Sequence, residues 1–297
     1  MNRSLSDRTF DTINNGLLLI VIGIILFPLL FVLSASISDP MLVNSGKVWI
    51  WPRGITFEGY QRILHNNEIW MGYLYSIVYT VLGTLLHLAV LLPCAYALSR
   101  KELMGKKLIL WYFLLTMMIG GGLIPTYLLV KQLGMLNTVW AMVIPGVVGA
   151  WDILVAKTFF QQNVPDPLVE AAKVDGASYF YIFLRIALPL SLPIIAVMSL
   201  FHGVGLWNQY FNALIYLNDD SMYPLQMVLR KILVAQEMSS ENMSGSAIQA
   251  EAMASQARIA SILKYGVIIV STLPLLIAYP FLQRFFLKGV LVGSIKE

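Results

Sequence analysis

Six stretches of the chain, 16–36, 70–98, 108–130, 138–160, 186–206 and 265–287, are apolar over the length a bilayer demands. A helix needs about 20 such residues to cross the hydrocarbon. Lipid offers no partner to a bare backbone N–H or C=O, so each stretch is expected to be a helix. Composition leads to the same place. Of 297 residues, 58% are hydrophobic and 12% charged, against about 25% charged in soluble domains. A chain of this length cannot hide that much apolar surface in a water-soluble core. The expected fold class is therefore an all-α integral membrane protein with six transmembrane helices. The net charge of +4 does not call for nucleic acid as a partner. The single cysteine, Cys94, excludes an internal disulfide. With only His65, His87 and His202 scattered along the chain, no metal site is expected.

The first stretch follows Arg3 and Arg8 and precedes a Ser-Ala-Ser run, as a signal peptide would. Its apolar run exceeds the roughly 7–15 residues of a signal core, so it reads as an uncleaved anchor. Charge then sets the orientation. The short loop 99–107 holds Arg100, Lys101, Lys106 and Lys107, whereas the opposite short loop, 131–137, holds only Lys131. Twelve of the twenty Lys and Arg fall on the side of the N-terminus and eight on the other. Positive charge favours the cytoplasmic side, so both termini are expected to be cytoplasmic. The organisation that follows is a tail at 1–15, a transmembrane domain at 16–287 and a tail at 288–297. The domain includes an inside loop at 161–185 and a long outside loop at 206–264. The outside loop 35–69 carries Trp49, Trp51, Pro52 and Gly54, which suits a membrane interface. The loop 206–264 opens on Trp207-Asn208-Gln209 and continues through Asn218-Asp219-Asp220. An amphipathic stretch at 225–234 and a helix-forming, water-exposed stretch at 237–258 follow.

The inside loop 161–185 has a distinctive local chemistry. Asp166 is a suitable N-cap and Pro167 a suitable first helical residue. Glu170 lies in the first turn, where the helix dipole favours negative charge. Gly176 is a C-terminal stop, and Ser178 caps a second helix that enters the membrane. The loop is thus expected to be a short helix, a glycine bend and another helix. Ala171 and Ala172 give the short helix a small-residue face that another protein can approach closely. Glu170 beside them can accept a charge-assisted bond from a partner arginine. The plainer reading is that Glu170 pairs with Lys173 on its own helix. Pro189 and Pro193 read as kinks at a helix entrance.

Glu170, Ala171, Ala172, Gly176, Ile186, Leu188 and Pro189 together resemble the EAA motif, the cytoplasmic signature of bacterial ABC-importer permeases. Asp175-Gly176-Ala177 and Trp207-Asn208 are similar to the sugar-importer version. The ending Lys288–Lys296 resembles that of the shorter, maltose-type sugar permeases. The opening Arg3–Arg8 and the segment Ser36–Pro40 resemble the branch handling complex oligosaccharides and lipo-oligosaccharides. The resemblance implies a type I ABC importer permease fold in the bacterial plasma (inner) membrane. It implies a heterodimer with a second, homologous permease subunit, two cytoplasmic ABC ATPase subunits and an extracytoplasmic solute-binding protein. ATP and Mg would then sit on the ATPases, this chain would bind no cofactor, and it would catalyse no bond chemistry. The resemblance also implies that Glu170, Ala171, Ala172, Asp175, Gly176, Ala177 and Pro189 couple to the ATPase. The tail residues Gly289, Gly293 and Lys296 would reach the ATPase interface.

Polar groups within apolar stretches are costly and point to a pathway or to a satisfied helix contact. Asp152 is a candidate for a gate or cavity, while His87 and His202 read as satisfied by neighbouring helices. Trp207, Asn208 and Gln209 combine an aromatic face with amide groups, as sugar contact or as an interface anchor. Gly121, between Gly120 and Gly122, suits an unwound segment lining a cavity or close helix packing. No phosphate-cradling Gly-x-x-x-x-Gly-Lys-Ser/Thr and no His-Glu-x-x-His occurs. The reading that unites these features is import of a sugar, in particular an oligosaccharide, by alternating access driven by partner ATPases. Other readings are a type I permease for a non-sugar solute, an ion-coupled carrier and a membrane-embedded glycan or lipid transferase. A carrier would want paired charges near the midplane, and a transferase several catalytic carboxylates or histidines on one membrane face.

Overall fold

The computed structural model describes residues 5–241 and 260–280, together with Gln283. The described residues form helices and connecting segments, with no strand among them. In chain order the helices are α1 (Leu5–Ser36), α2 (Pro40–Asn44), α3 (Glu58–His65), α4 (Asn67–Ser99) and α5 (Lys106–Met118). They continue as α6 (Leu123–Gln132), α7 (Val139–Val143), α8 (Ala150–Asn163) and α9 (Asp166–Val174). Then come α10 (Tyr179–Leu190), α11 (Leu192–Trp207), α12 (Phe211–Tyr216), α13 (Leu225–Glu241) and α14 (Ala260–Pro280). The stretch 237–258 falls within the described residues only as far as Glu241.

Three helices are long and apolar enough to cross a bilayer unbroken: α4, α14 and the Thr9–Ser36 part of α1. Two of the other expected spans are bent pairs. The third stretch divides into α5 and α6 at 113°, and the fifth into α10 and α11 at 78°. The fourth, 138–160, is not one helix. It runs from α7 through an irregular segment at 144–149 into α8. Hydropathy registers how apolar a stretch is, and the breaks come from residues that hydropathy ignores. Gly120–Gly122 separate α5 from α6, and Pro145-Gly146 ends α7, with Gly146 at φ +74°. Pro193 lies in the first turn of α11. Irregular backbone at membrane depth is tolerated where protein or a water-filled cavity surrounds it.

The described residues divide into two compact units within the following ranges. One comprises 1–70 with 228–273, the other 71–227 with 274–297. In the first, Ala35, Val43 and Val48 form a small core with Phe31 and Tyr265 against it. Asp39 caps α2 by accepting the Met41 N–H at 2.7 Å, with Pro40 opening the helix. Most of α1 turns large apolar side chains outward, as a helix in lipid does.

The second unit holds the largest core. Leu91, Ala95 and Tyr96 of α4 meet Ile153, Ala156 and Phe160 of α8, together with Ile182 and Phe183 of α10 and Ile194 and Met198 of α11. The buried positions of α8 recur at intervals of three and four, the spacing of one helix face. A second cluster joins Tyr79, Met142, Val143, Ala213 and Leu217. The Tyr79 hydroxyl donates to the Met222 carbonyl at 2.8 Å. Asn137, at φ +58°, accepts the N–H groups of Asn218 and Asp219, both at 3.0 Å. Asp219 then accepts the Ser221 N–H and opens a short turn, so the Asp219-Asp220 doublet is the exposed turn its composition suggests.

Candidate functional site

Helix α9 stands at the centre of the candidate site. Pro165, in extended conformation, is its N-cap and contributes no side-chain bond. Asp166 is therefore the first helical residue rather than the cap. Its carboxylate turns instead to two cations: Lys101 Nζ lies 2.8 Å from Oδ2 and Arg100 Nη1 3.5 Å from Oδ1. Hydrogen bonding to Lys101 holds the Asp166 carboxyl below its ordinary range and raises the Lys101 ammonium.

At the other end Lys173 does not reach Glu170. Its ammonium meets Glu102 Oε1 at 2.6 Å and sits 4.4 Å from the centroid of the Tyr179 ring. Those contacts, the Glu102 bond foremost, raise its pKa. Both ends of α9 are thus tied to the same segment, Arg100-Lys101-Glu102. The plainer pairing of Glu170 with Lys173 is absent. Glu170 is exposed and has no hydrogen bond or ion pair with any described residue.

Arg100 anchors this arrangement from beneath and is only 6% exposed. Its Nε donates to Ser99 Oγ at 2.9 Å, and its Nη2 donates to the carbonyls of Phe160 and Val164 at 3.3 and 3.0 Å. Its guanidinium carbon lies 5.1 Å from the centroid of the Tyr96 ring. Phe160 O also accepts the Val164 N–H at 3.0 Å, and the negative end of the helix favours a cation. One side chain thus caps α8, reaches Asp166 and packs on an aromatic ring.

The end of α9 is a Schellman turn. The Gly176 N–H donates to Lys173 O at 3.0 Å and the Ala177 N–H to Ala172 O at 2.9 Å, with Gly176 at φ +79°. Ala172 and Ala177 both pack against the large core, so the turn is closed by apolar contact as well. That corrects the expected alanine face. Ala172 belongs to the inner side with buried Val169, while Glu170, Ala171 and Val174 share the outer side. Val174 is 88% exposed, so an apolar side chain stands open beside an unpaired carboxylate. Asp175 is exposed at the turn. Ser178 accepts the Tyr181 N–H at 3.2 Å and starts α10.

Pro189 is not brought to the α9 face. It lies about eleven residues into α10, roughly 15 Å along the axis. The wide turn Phe183–Ala187 precedes it, and there Leu188 N–H bonds to Phe183 O. Proline has no N–H to donate and crowds the carbonyl four residues back, and the π-type turn relieves both. Gly289, Gly293 and Lys296 lie outside the described residues.

A second place collects part of the pathway set. A cavity of about 400 Å³ opens beside the break in the fourth span, lined by Asp152, His202, Asn208 and Gln209 with Phe201 and Tyr210. Asp152 caps α8 by accepting the Gly149 N–H at 3.0 Å. Asn208 Nδ2 donates to Val204 O at 3.0 Å, and Gln209 Oε1 is buried with no hydrogen-bond partner among the described residues. Trp207 is separated from its neighbours in sequence. Its indole is buried edge-on against Tyr73 at 5.6 Å and borders a different groove, with Thr80 and Thr84. Gly121 lies in the α5–α6 break, the unwound segment its residue type suits, with no described atom near an added Cβ, so it makes no tight helix contact and does not line this cavity.

Two features of the site had no sequence signal strong enough to find them. The tie of loop 99–107 to α9 joins residues more than sixty positions apart, and only charge complementarity hinted at it. The imidazoles of His87 and His202 stack at 4.1 Å and 8°. His87 Nδ1 lies 2.7 Å from the Val147 carbonyl, in the broken part of the fourth span. Against the expectation that neighbouring helices satisfy these histidines, only His87 Nδ1 has a hydrogen-bond contact, to a carbonyl outside any helix, and both buried Nε2 atoms lack a hydrogen-bond partner among the described residues.

Residues 69–292 match the sequence profile of the family described as "Binding-protein-dependent transport system inner membrane component". The chain is 38% identical over 296 residues to "Protein LplC" of Bacillus subtilis, covering 100% of this chain and 98% of the relative. It is also 38% identical over 292 residues to the "Polygalacturonan/rhamnogalacturonan transport system permease protein YtcP" of the same organism, covering 98% and 100%. Its fold matches a chain in the crystal structure of a bacterial ABC transporter involved in import of the acidic polysaccharide alginate. That likeness has a TM-score of 0.84 at 30% identity, over 96% of this chain and 99% of the other.

Proposed function

The chain belongs to the family of binding-protein-dependent transport system inner membrane components, and on that footing we propose that it carries an oligosaccharide through the membrane for an ATP-driven importer. The relatives named for polygalacturonan, rhamnogalacturonan and alginate support a glycan as cargo. The observation that carries the mechanism is the open outer side of α9. Glu170, Ala171 and Val174 are exposed together, while Asp166 and Lys173 tie the helix ends to Arg100-Lys101-Glu102.

In this reading α9 docks in a groove of a cytoplasmic ATPase subunit. Val174 supplies apolar contact and Glu170 accepts a bond from a cation on the partner. Motion of the dock passes through the Schellman turn into α10, and through Arg100 into α8 and α4. Helix α8 is the second half of the broken fourth span and contributes Asp152 to the cavity, where Asn208 and Gln209 add hydrogen-bonding groups for hydroxyls. A second permease completes the pathway, and a solute-binding protein delivers the glycan from outside. ATP and Mg act on the ATPases, which alone carry the hydrolytic chemistry. Coupling requires the ATPase states to bind the dock differently in the two permease conformations.

The test is transport by the reconstituted complex in proteoliposomes, with ATP inside and the binding protein and labelled oligogalacturonides or neutral oligosaccharides outside. Accumulation that needs both ATP and binding protein is expected for at least one glycan. Uptake independent of ATP and driven by an ion gradient would overturn the reading.

A further inference from the structure

Three lysines remain once the carboxylates around α9 are assigned. Arg100 and Lys101 share Asp166, and Lys173 holds Glu102. Lys106 reaches only the carbonyls of Ser99 and Arg100, at 3.4 and 3.2 Å. Lys107 and Lys157 have no hydrogen bond or ion pair with any described residue. The three are neighbours by construction. Lys106 and Lys107 open α5, which packs beside α8, the helix that carries Lys157. Lys157 repels Lys106 across that contact.

The surroundings say what kind of anion fits. Directly after Lys107, α5 turns Leu108, Trp111 and Tyr112 outward, at 76%, 70% and 63% exposure. Only Leu110 and Phe113 of that helix pack against the core. The cations therefore sit at the margin of an apolar, aromatic surface. That is where a phosphate group meets acyl chains and where Trp and Tyr collect. A water-soluble acidic protein would leave that apolar surface uncovered.

We propose that Lys106, Lys107 and Lys157 form a binding site for the phosphate-bearing headgroup of an anionic phospholipid, whose chains lie along Leu108 and Trp111. Lysine stems can lie along apolar surface and still hold their ammonium groups at headgroup level. Each cation near an anionic lipid surface strengthens binding roughly fivefold, so loss of all three weakens it on the order of 100-fold. Because Lys106 and Arg100 are bridged through the loop carbonyl, the lipid would brace the segment that ties down α9. The proposal requires only that this chain lie in a membrane, so it stands or fails independently of the glycan reading.

The experiment uses the purified full transporter in nanodiscs of phosphatidylcholine, titrated with phosphatidylglycerol, and reads melting temperature and lipid retained by native mass spectrometry. The wild type is expected to gain thermal stability and retain phosphatidylglycerol. The variant Lys106→Gln/Lys107→Gln/Lys157→Gln should lose both responses. The Lys-to-Arg triple variant should keep them, as should the remote control Lys47→Gln/Lys131→Gln. An equal response in the glutamine triple variant would overturn the site. So would its reproduction by inorganic phosphate, or loss of the ATPase subunits from the triple variant in neutral lipid, which would assign the patch to a protein partner.

Discussion

Arg100 has more structural duties than any other charged residue near the site, and each has a physical cost when removed. Its side chain satisfies the Phe160 and Val164 carbonyls and one oxygen of Asp166 while almost wholly buried. Arg100→Ala leaves the Val164 carbonyl without a donor, while Phe160 O keeps the Val164 N–H and Asp166 keeps Lys101, and should destabilise the folded chain by about 1–3 kcal/mol. Thermal unfolding in detergent measures it. Arg100→Lys should recover only part, because a point charge cannot serve three directions as a planar fork does. Asp166 supplies a pH signature. Its carboxyl is held below the ordinary value of 3.8, first by the Lys101 hydrogen bond. A depressed carboxyl contributes stability above its unfolded value and loses it as pH falls through the folded one. Acid melting curves of wild type and Asp166→Asn should therefore converge below about pH 4. The difference is expected to be small and salt-sensitive, since the pair lies at the surface.

Among elements, α9 and its turn were largely legible in the sequence, because capping and glycine chemistry are local. Gly176 at φ +79° and the Ser178 cap fall where the residue types put them. What local chemistry could not decide was the fate of Asp166 and Lys173, whose partners come from a loop more than sixty residues away. The division of Ala171 and Ala172 between an outer and an inner side depends on packing against a core that sequence does not display. The unbroken helices α4 and α14 were legible from hydropathy, whereas the breaks at Gly120–Gly122, at 144–149 and at Ser191 were not. An added Cβ at Gly176 would touch nothing, so Gly176→Ala should cost only the left-handed conformation, about 1–2 kcal/mol. Gly176→Asn should cost less, because asparagine tolerates that region better. Melting temperatures of the two variants in one detergent decide it.

For the whole molecule, the positive-inside count favours a cytoplasmic position for loop 99–107 and α9, and the ion pairs between them put the two on one shared side. With Cys94 replaced by alanine, single cysteines at Lys107 and at Asn218 should report opposite sides. In intact cells a membrane-impermeant maleimide should label Asn218→Cys and spare Lys107→Cys until the membrane is opened. The cargo was the least legible property. The cavity is shaped by helix breaks, while Asp152, Asn208 and Gln209 are ordinary residue types anywhere else.

The central claim is that the outer side of α9 is where an ATPase pushes. In the Cys94→Ala background, Val174→Cys and Ala171→Cys should each crosslink to the ATPase subunit in the assembled complex, with yields that change between nucleotide-free and ATP-trapped states. Val169→Cys, on the buried side, should not crosslink. Absence of crosslinking from both outer positions in an intact, ATP-hydrolysing complex would contradict the account.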